Sequence, residues 1–266
     1  MSVRRRRARA AVRGLFALVA LLAVAGGCDK PLDLGPDPDF LWWTDHETGG
    51  LDDWLRGGTT AGSTYATGGG AISVQAGLAR SGRYALVSTA GAAGATTAGQ
   101  VTRRGQREDA YYGAWFYLSA SATPATYWVF FSFHGDDGAG GGDVALWDLK
   151  LAPVDASGTL ELQLLHHDTG DVAPSAHVAV PLGRWFQVQA FLHPTADASG
   201  ALRVWLDGAP VYDLAGPTTT AAAPAISWTV GTITDGLTPA PTTLYVDDAF
   251  IAKRRIGPDA PPFWRP

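Results

Sequence analysis

Helical periodicity is missing from this chain, and that absence constrains it most. No window of useful length places apolar residues at i, i+3, i+4 and i+7, whereas short runs rich in Val, Tyr, Trp, Phe and Thr alternate with clusters of Gly, Asp, Ser and Pro. Such a pattern predicts an all-β domain. Strands are expected at Phe40–Trp43, Ala71–Ala76, Arg83–Ser88, Ala110–Leu118, Thr126–His134, Val144–Leu151, Thr159–His166, Ala176–Val180, Arg184–His193, Ala201–Leu206, Pro210–Leu214, Ile226–Gly231 and Leu244–Ile251. A dozen or so strands in one domain call for two packed antiparallel sheets, a β-sandwich. No internal repeat at a blade or solenoid period is visible, which argues against a propeller.

The ends of the chain belong to a different physical object. Six arginines from Arg4 to Arg13 precede the uncharged apolar stretch Leu15 to Gly27, the pattern of a secretory signal and too short for a spanning helix. Leu22-Ala23-Val24-Ala25-Gly26-Gly27-Cys28 resembles the lipobox of bacterial lipoproteins, which implies that Cys28, the single cysteine, carries the lipid. Ala23-Val24-Ala25 also suits ordinary signal-peptidase cleavage, the alternative being a secreted protein. The expected divisions are a signal peptide at 1–27, a Pro/Asp-rich tether at 28–39, the sandwich at 40–252 and a Pro-rich tail at 253–266. The protein is then a monomeric lipoprotein of the cell envelope.

With one cysteine the chain has no internal disulfide and no sulfur-ligated zinc site. Its formal charge of -5 averages a basic signal with an acidic remainder: removing six of 20 Lys+Arg and none of 25 Asp+Glu leaves 14 − 25 = −11. A nucleic-acid partner is not expected.

Alternation within strands bears on function. In Tyr127–His134, Tyr127, Val129, Phe131 and Phe133 are expected to face the core, with Trp128, Phe130, Ser132 and His134 opposite. By the same alternation Asp148 and Lys150 point outward together, as do Gln163, the set Trp185, Gln187 and Gln189, and the pair Arg203 and Trp205. Tryptophans among hydrogen-bonding side chains suit a sugar groove, since pyranose C–H faces lie on aromatic rings while hydroxyls need fixed polar partners. Trp128, Asp148, Lys150, Gln163, Trp185, Gln187, Gln189, Arg203 and Trp205 are thus the expected glycan-binding residues. The alternative is that loops or a terminal segment cover this face.

The strings Asp45-His46-Glu47-Thr48-Gly49-Gly50, Ala79-Arg80-Ser81-Gly82-Arg83-Tyr84, Gly183-Arg184-Trp185-Phe186, Gly200–Gly208 and Leu244–Ile251 resemble, in order, concanavalin A-like jelly rolls, including laminin-G-like and heparin-lyase-like sandwiches. The resemblance spans residues 40 to 252. It implies a polysaccharide-binding or polysaccharide-cleaving protein. Lyases of that group carry an Arg-x-Glu-type strand, a Gln-x-His strand and a Tyr or Lys beside the cleaved bond. Here Arg107 and Tyr111 stand near the first, and Ser132-Phe133-His134 occupies the second with serine in place of the amide. The implied roles are His134 as base and Tyr111 or Tyr117 as acid. Paired acids in a glycoside hydrolase spacing are absent. The resemblance further implies one structural Ca²⁺ joining first and last strands through Asp45, Glu47 and Asp248. Three readings stand at this stage: a glycan-binding lipoprotein, a lyase cleaving a uronate glycan by β-elimination, and a non-catalytic structural or adhesive surface protein.

Overall fold

A computed structural model describes residues 39–56, 62–91, 96–105, 108–136, 143–154, 157–220 and 225–260. In chain order these form β1 (Phe40–Thr44), a single helical turn α1 (Asp52–Leu55), β2 (Ser63–Thr67), β3 (Ala71–Ala76), β4 (Tyr84–Ala90), β5 (Thr97–Arg104), β6 (Ala110–Tyr117) and β7 (Thr123–Pro124). There follow β8 (Trp128–Asp136), β9 (Asp143–Pro153), β10 (Leu160–His166), β11 (Gly170–Val172), β12 (Trp185–His193) and β13 (Ala201–Leu206). The last are β14 (Ala209–Ala215), β15 (Ala225–Thr234), β16 (Leu237–Thr238) and β17 (Thr242–Ala252). Cys28 and the segments 1–38 and 261–266 lie outside the described residues.

Two antiparallel sheets stack as a sandwich. The first runs β14-β13-β12-β6-β17-β4-β3, with β1 also paired to β17, and the second runs β11-β10-β9-β8-β15-β5-β2. Strands neighbouring in sequence therefore often lie on opposite sheets: β4 belongs to the first and β5 to the second, and β6 to the first with β8 in the second. Inward residues from both interlock. Phe116 meets Phe130 edge-on at 5.0 Å between ring centroids, and Tyr112 meets Phe133 likewise at 5.0 Å.

Departures from strict alternation shape the second sheet. Register shifts fall in β8 between Val129 and Phe131 and between Phe133 and His134 against β9, and in β15 between Val230 and Ile233 against β8. An extra residue at a bulge turns the strand over. Trp128 and Phe130, expected to face outward, accordingly lie in the core with Phe131 and Phe133, and only Ser132 and His134 keep the outward direction. The bulged Thr232 N–H is satisfied from the other sheet: it donates to Ser88 Oγ at 2.9 Å, and Ser88 in turn donates to the Gly99 carbonyl at 2.6 Å.

The segment after β1 is tied to β17 by buried polar groups. Trp54 Nε1–H donates to His46 Nε2 at 3.0 Å, which leaves the proton on Nδ1 to donate to Asp247 at 3.3 Å. Burial pushes the Asp247 carboxyl up, and the hydrogen bond from His46 pulls it partly back. Arg103, whose guanidinium burial pushes down, caps α1 by donating to the carbonyls of Asp53, Trp54 and Arg56 at 3.0, 2.9 and 2.6 Å.

Candidate functional site

The outward face of the second sheet is largely polar. Cross-strand register sets Ser63, Thr102, Thr229, Ser132, Asp148, Leu165 and Asp171 in one row from edge to edge. A second row carries Arg104, Ser227 and His134. Directly opposed residues on one face lie within side-chain reach, so these rows define neighbours. The Thr102 and Thr229 hydroxyls meet at 2.8 Å.

His134 is held at both ring nitrogens. Its Nδ1 lies 2.9 Å from the Asp143 carboxylate, an acceptor only, so Nδ1 carries the proton. Nε2 then accepts the hydroxyl of Ser132 at 3.0 Å. The imidazole is partly open, with 22% of its side chain exposed, whereas Ser132 is 2% exposed. Ser132 thus restrains the histidine and has no surface to offer a substrate. Around this pair the cations are each matched to an acid: Arg104 to Asp136 at 2.6 Å, Lys150 to Asp171 at 2.6 Å and His167 Nε2 to Asp148 at 2.8 Å. His177 pairs with Glu161 on the neighbouring strand at 2.7 Å. Exposed Tyr65 opposes Gln100 at the β2 edge of the same sheet.

The residues expected from sequence divide between two opposite faces. His134, Ser132, Asp148, Lys150 and Gln163 share the outward face of the second sheet. Tyr111, Trp185, Gln187, Gln189, Arg203 and Trp205 sit on the outward face of the first, because β6, β12 and β13 belong to that sheet. Tyr111 packs on Phe191 at 5.0 Å and on Trp205 at 6.1 Å, a sandwich away from His134. Trp128 is fully buried and touches no groove. Arg107 lies outside the described residues.

Much of the aromatic face of the first sheet is covered. Arg255 lies over Trp205 at 4.8 Å, Arg80 over Trp115 at 3.6 Å, and Ile256 packs with Phe250 and Ala252. Gln187 and Gln189 are consequently buried, at 2% and 1% exposure. Residues 253–260, expected to stand apart from the core, are part of that cover.

The acids expected to hold calcium are occupied by protein donors. Glu47 accepts the N–H groups of Arg83 and Tyr84 at 2.7 and 2.8 Å. Asp248 accepts the Ser81 hydroxyl at 2.8 Å and pairs with the Arg80 guanidinium, and Asp45 accepts the Glu47 N–H at 3.0 Å. A guanidinium bound to Asp248 supplies the cation there, so the donor set does not fit a metal. Among the described residues no group of three acids, histidines or cysteines has metal-site geometry.

A family model described as polysaccharide lyase matches residues 46–249. The chain belongs to that polysaccharide lyase family. Among solved structures, the lyase domain resembles the endo-β-1,4-glucuronan lyase of the fungus Trichoderma reesei, with a TM-score of 0.59 at 18% identity over 84% of this chain and 100% of the other. It also resembles the cellulose induced protein Cip1, with a TM-score of 0.52 at 19% identity over 81% of this chain and 98% of the other. At such identity these likenesses establish the fold. No curated protein matches the sequence.

Sequence reasoning passed over Arg104, gave Asp136 and Asp143 no part in the chemistry, and named Asp148 without its partner His167. The run Val101-Thr102-Arg103-Arg104 carried an alternation signal, but the Gly- and Ala-rich stretch before it hid the strand.

Proposed function

We propose that the protein is a polysaccharide lyase that cleaves a uronate-containing glycan by β-elimination on the outward face of the second sheet. The observation that carries this reading is His134: one partly open imidazole, fixed in a single tautomer by Asp143, on a polar face within the span that matches the lyase family. Elimination removes the proton alpha to a carboxylate, so it needs a cation for that carboxylate, a base and an acid. Arg104, in the register row of His134, supplies the charge by turning from the Asp136 carboxylate to that of the uronate. As Nε2 exchanges the Ser132 hydroxyl for substrate, it takes the carbon-bound proton. The released electron pair forms the carbon–carbon double bond, and the bond to the leaving oxygen breaks. The imidazolium then returns its proton to that oxygen, so one histidine serves as base and acid.

Incubation with polyglucuronate and alginate tests this, read as the ultraviolet absorbance of unsaturated uronate ends. His134→Ala should lower kcat by about 10²–10⁴-fold, the usual weight of general acid–base catalysis. Ser132→Ala should retain activity within about tenfold of the parent, since its hydroxyl only restrains Nε2, at a cost of about one hydrogen bond. Loss of activity on removing Ser132 but not His134 overturns the assignment.

We further propose export with lipid attachment at Cys28, supported by the lone cysteine directly after an uncharged apolar run. Labelled palmitate should enter the parent chain and not Cys28→Ala.

A further inference from the structure

We propose a second glycan site, for an uncharged sugar residue, on the outward face of the first sheet and remote from His134. Tyr245, Tyr117 and Trp185 are register partners on the adjacent strands β17, β6 and β12. Each points outward, because its chain neighbours Leu244, Val246, Phe116 and Phe186 are buried in the core. The rings form a continuous row, with Tyr117 5.7 Å from Trp185 and 6.0 Å from Tyr245 between centroids. Unlike Trp115 and Trp205, none of the three has an arginine over its ring among the described residues.

Tyr117 and Tyr245 open into a cleft of about 290 Å³ whose other walls include Ser119, Ser121, Thr242 and Thr243. Among the described residues, the hydroxyls of Tyr117, Tyr245, Ser119, Ser121 and Thr243 form no hydrogen bond to protein, so they are available to a ligand. Among the described residues, no charged one lines the cleft. That chemistry contrasts with the His134 face, where Arg104, Lys150 and His167 each carry an acid partner. A uronate carboxylate in the cleft would find no cation and would lose solvation without compensation. An uncharged pyranose meets what is present: aromatic rings for its C–H face, and hydroxyls that both donate and accept. The volume suits one or two sugar units rather than a long chain. The site does not depend on the lyase reading, since it lies on the other face of the sandwich.

Titration calorimetry of the whole chain with cellohexaose, xylohexaose, mannohexaose and oligoglucuronate tests the proposal, with tryptophan emission followed in parallel because Trp185 adjoins the cleft. One neutral hexasaccharide should saturate and oligoglucuronate should not compete with it. Tyr245→Ala should weaken that binding by up to about tenfold, the scale of one lost stacking contact, while Tyr245→Phe, which keeps the ring and removes one hydroxyl, should weaken it less. Thr243→Lys, which fills the cleft from its rim, should block binding without altering the fold, and it decides the matter if Tyr245→Ala does not fold. His134→Ala should bind the neutral sugar as the parent does. Failure of all three neutral sugars to saturate, or equal binding by Thr243→Lys and parent, overturns the site. So does loss of the neutral sugar in His134→Ala.

Discussion

Asp143 decides which nitrogen of His134 is left to act. Its carboxylate can only accept, so it fixes the proton on Nδ1 and leaves the lone pair on Nε2. Asp143→Asn offers an N–H to the same nitrogen and permits the opposite tautomer. Its kcat should fall at least about tenfold with little change in KM, because the wrong tautomer presents an N–H where the base needs its lone pair. Asp143→Glu should recover part of the loss, and a KM effect larger than the kcat effect would place Asp143 in binding instead. Tyr212 shows the same economy in the core. Its hydroxyl donates to the Leu162 carbonyl at 2.9 Å and accepts the Leu164 N–H at 3.0 Å. Burial pushes this phenol from 10.0 up to about 12. Between those values the unfolded chain has released the proton and the folded chain keeps it, so stability falls as pH rises through that window. Tyr212→Phe should cost about 1–3 kcal/mol at pH 7 by orphaning two buried backbone groups, and should remove that part of the alkaline decline. Urea denaturation at neutral pH and at intervals through the window measures both.

Strands were legible where apolar and polar residues alternate and illegible where small residues fill space. β3 and β13 match expectation to the residue, and β12 within one, because Val, Ile, Leu and Phe recur with period two. β5 was not expected at all. Its Ala98-Gly99-Gln100 stretch lacks bulk because another backbone passes close by: a Cβ on Gly99 would lie 2.0 Å from the Ala71 carbonyl oxygen. Composition registered the gap as a loop, and Arg104 went unread with its strand. The converse error occurred at β8, where alternation was assumed to run through a bulge, and one extra residue carried Trp128 from the expected groove into the core. Ser132 and His134 lie beyond that bulge, and the second shift, between Phe133 and His134, takes its extra residue Leu146 from β9, so their outward direction survived. Two outcomes follow for these elements. Gly99→Ala should destabilise by at least about 1–3 kcal/mol, as overpacking does, since backbone must shift. Trp128→Ala should cost about 3–5 kcal/mol through the void it leaves, with KM for substrate unaltered. Thermal denaturation and initial rates on the two variants check each; a raised KM with unchanged stability for Trp128→Ala would return that residue to the groove.

At the scale of the whole molecule, sequence could predict two sheets but not which residues share a face. Facing is set by which strands cross between sheets, and β6 and β8 are separated by one such crossing, so Tyr111 and His134 cannot act on one bond. Charge poses a related problem of scale. The sandwich from 40 to 252 carries nine Lys and Arg against twenty Asp and Glu, a net of −11, yet the proposed substrate is itself a polyanion. The cations of the His134 face do not offset this field, because Arg104 and Lys150 are each spent on an aspartate. A basic lyase gains its acidic substrate by long-range attraction and loses affinity as salt is added. Here the long-range term is repulsive, and screening removes it first because the Debye length shrinks to about 8 Å at physiological ionic strength. Contacts made at Arg104, only 35% exposed, are shielded from salt to a greater degree. Raising sodium chloride from about 0.01 M to about 0.15 M should therefore lower KM for polyglucuronate. The effect should come through kcat/KM with kcat nearly constant, because screening acts on encounter and not on proton transfer. A neutral hexasaccharide bound beside Tyr245 should show no such dependence, and a KM that rises with salt would mean that local cations, not the net charge, govern approach to the site.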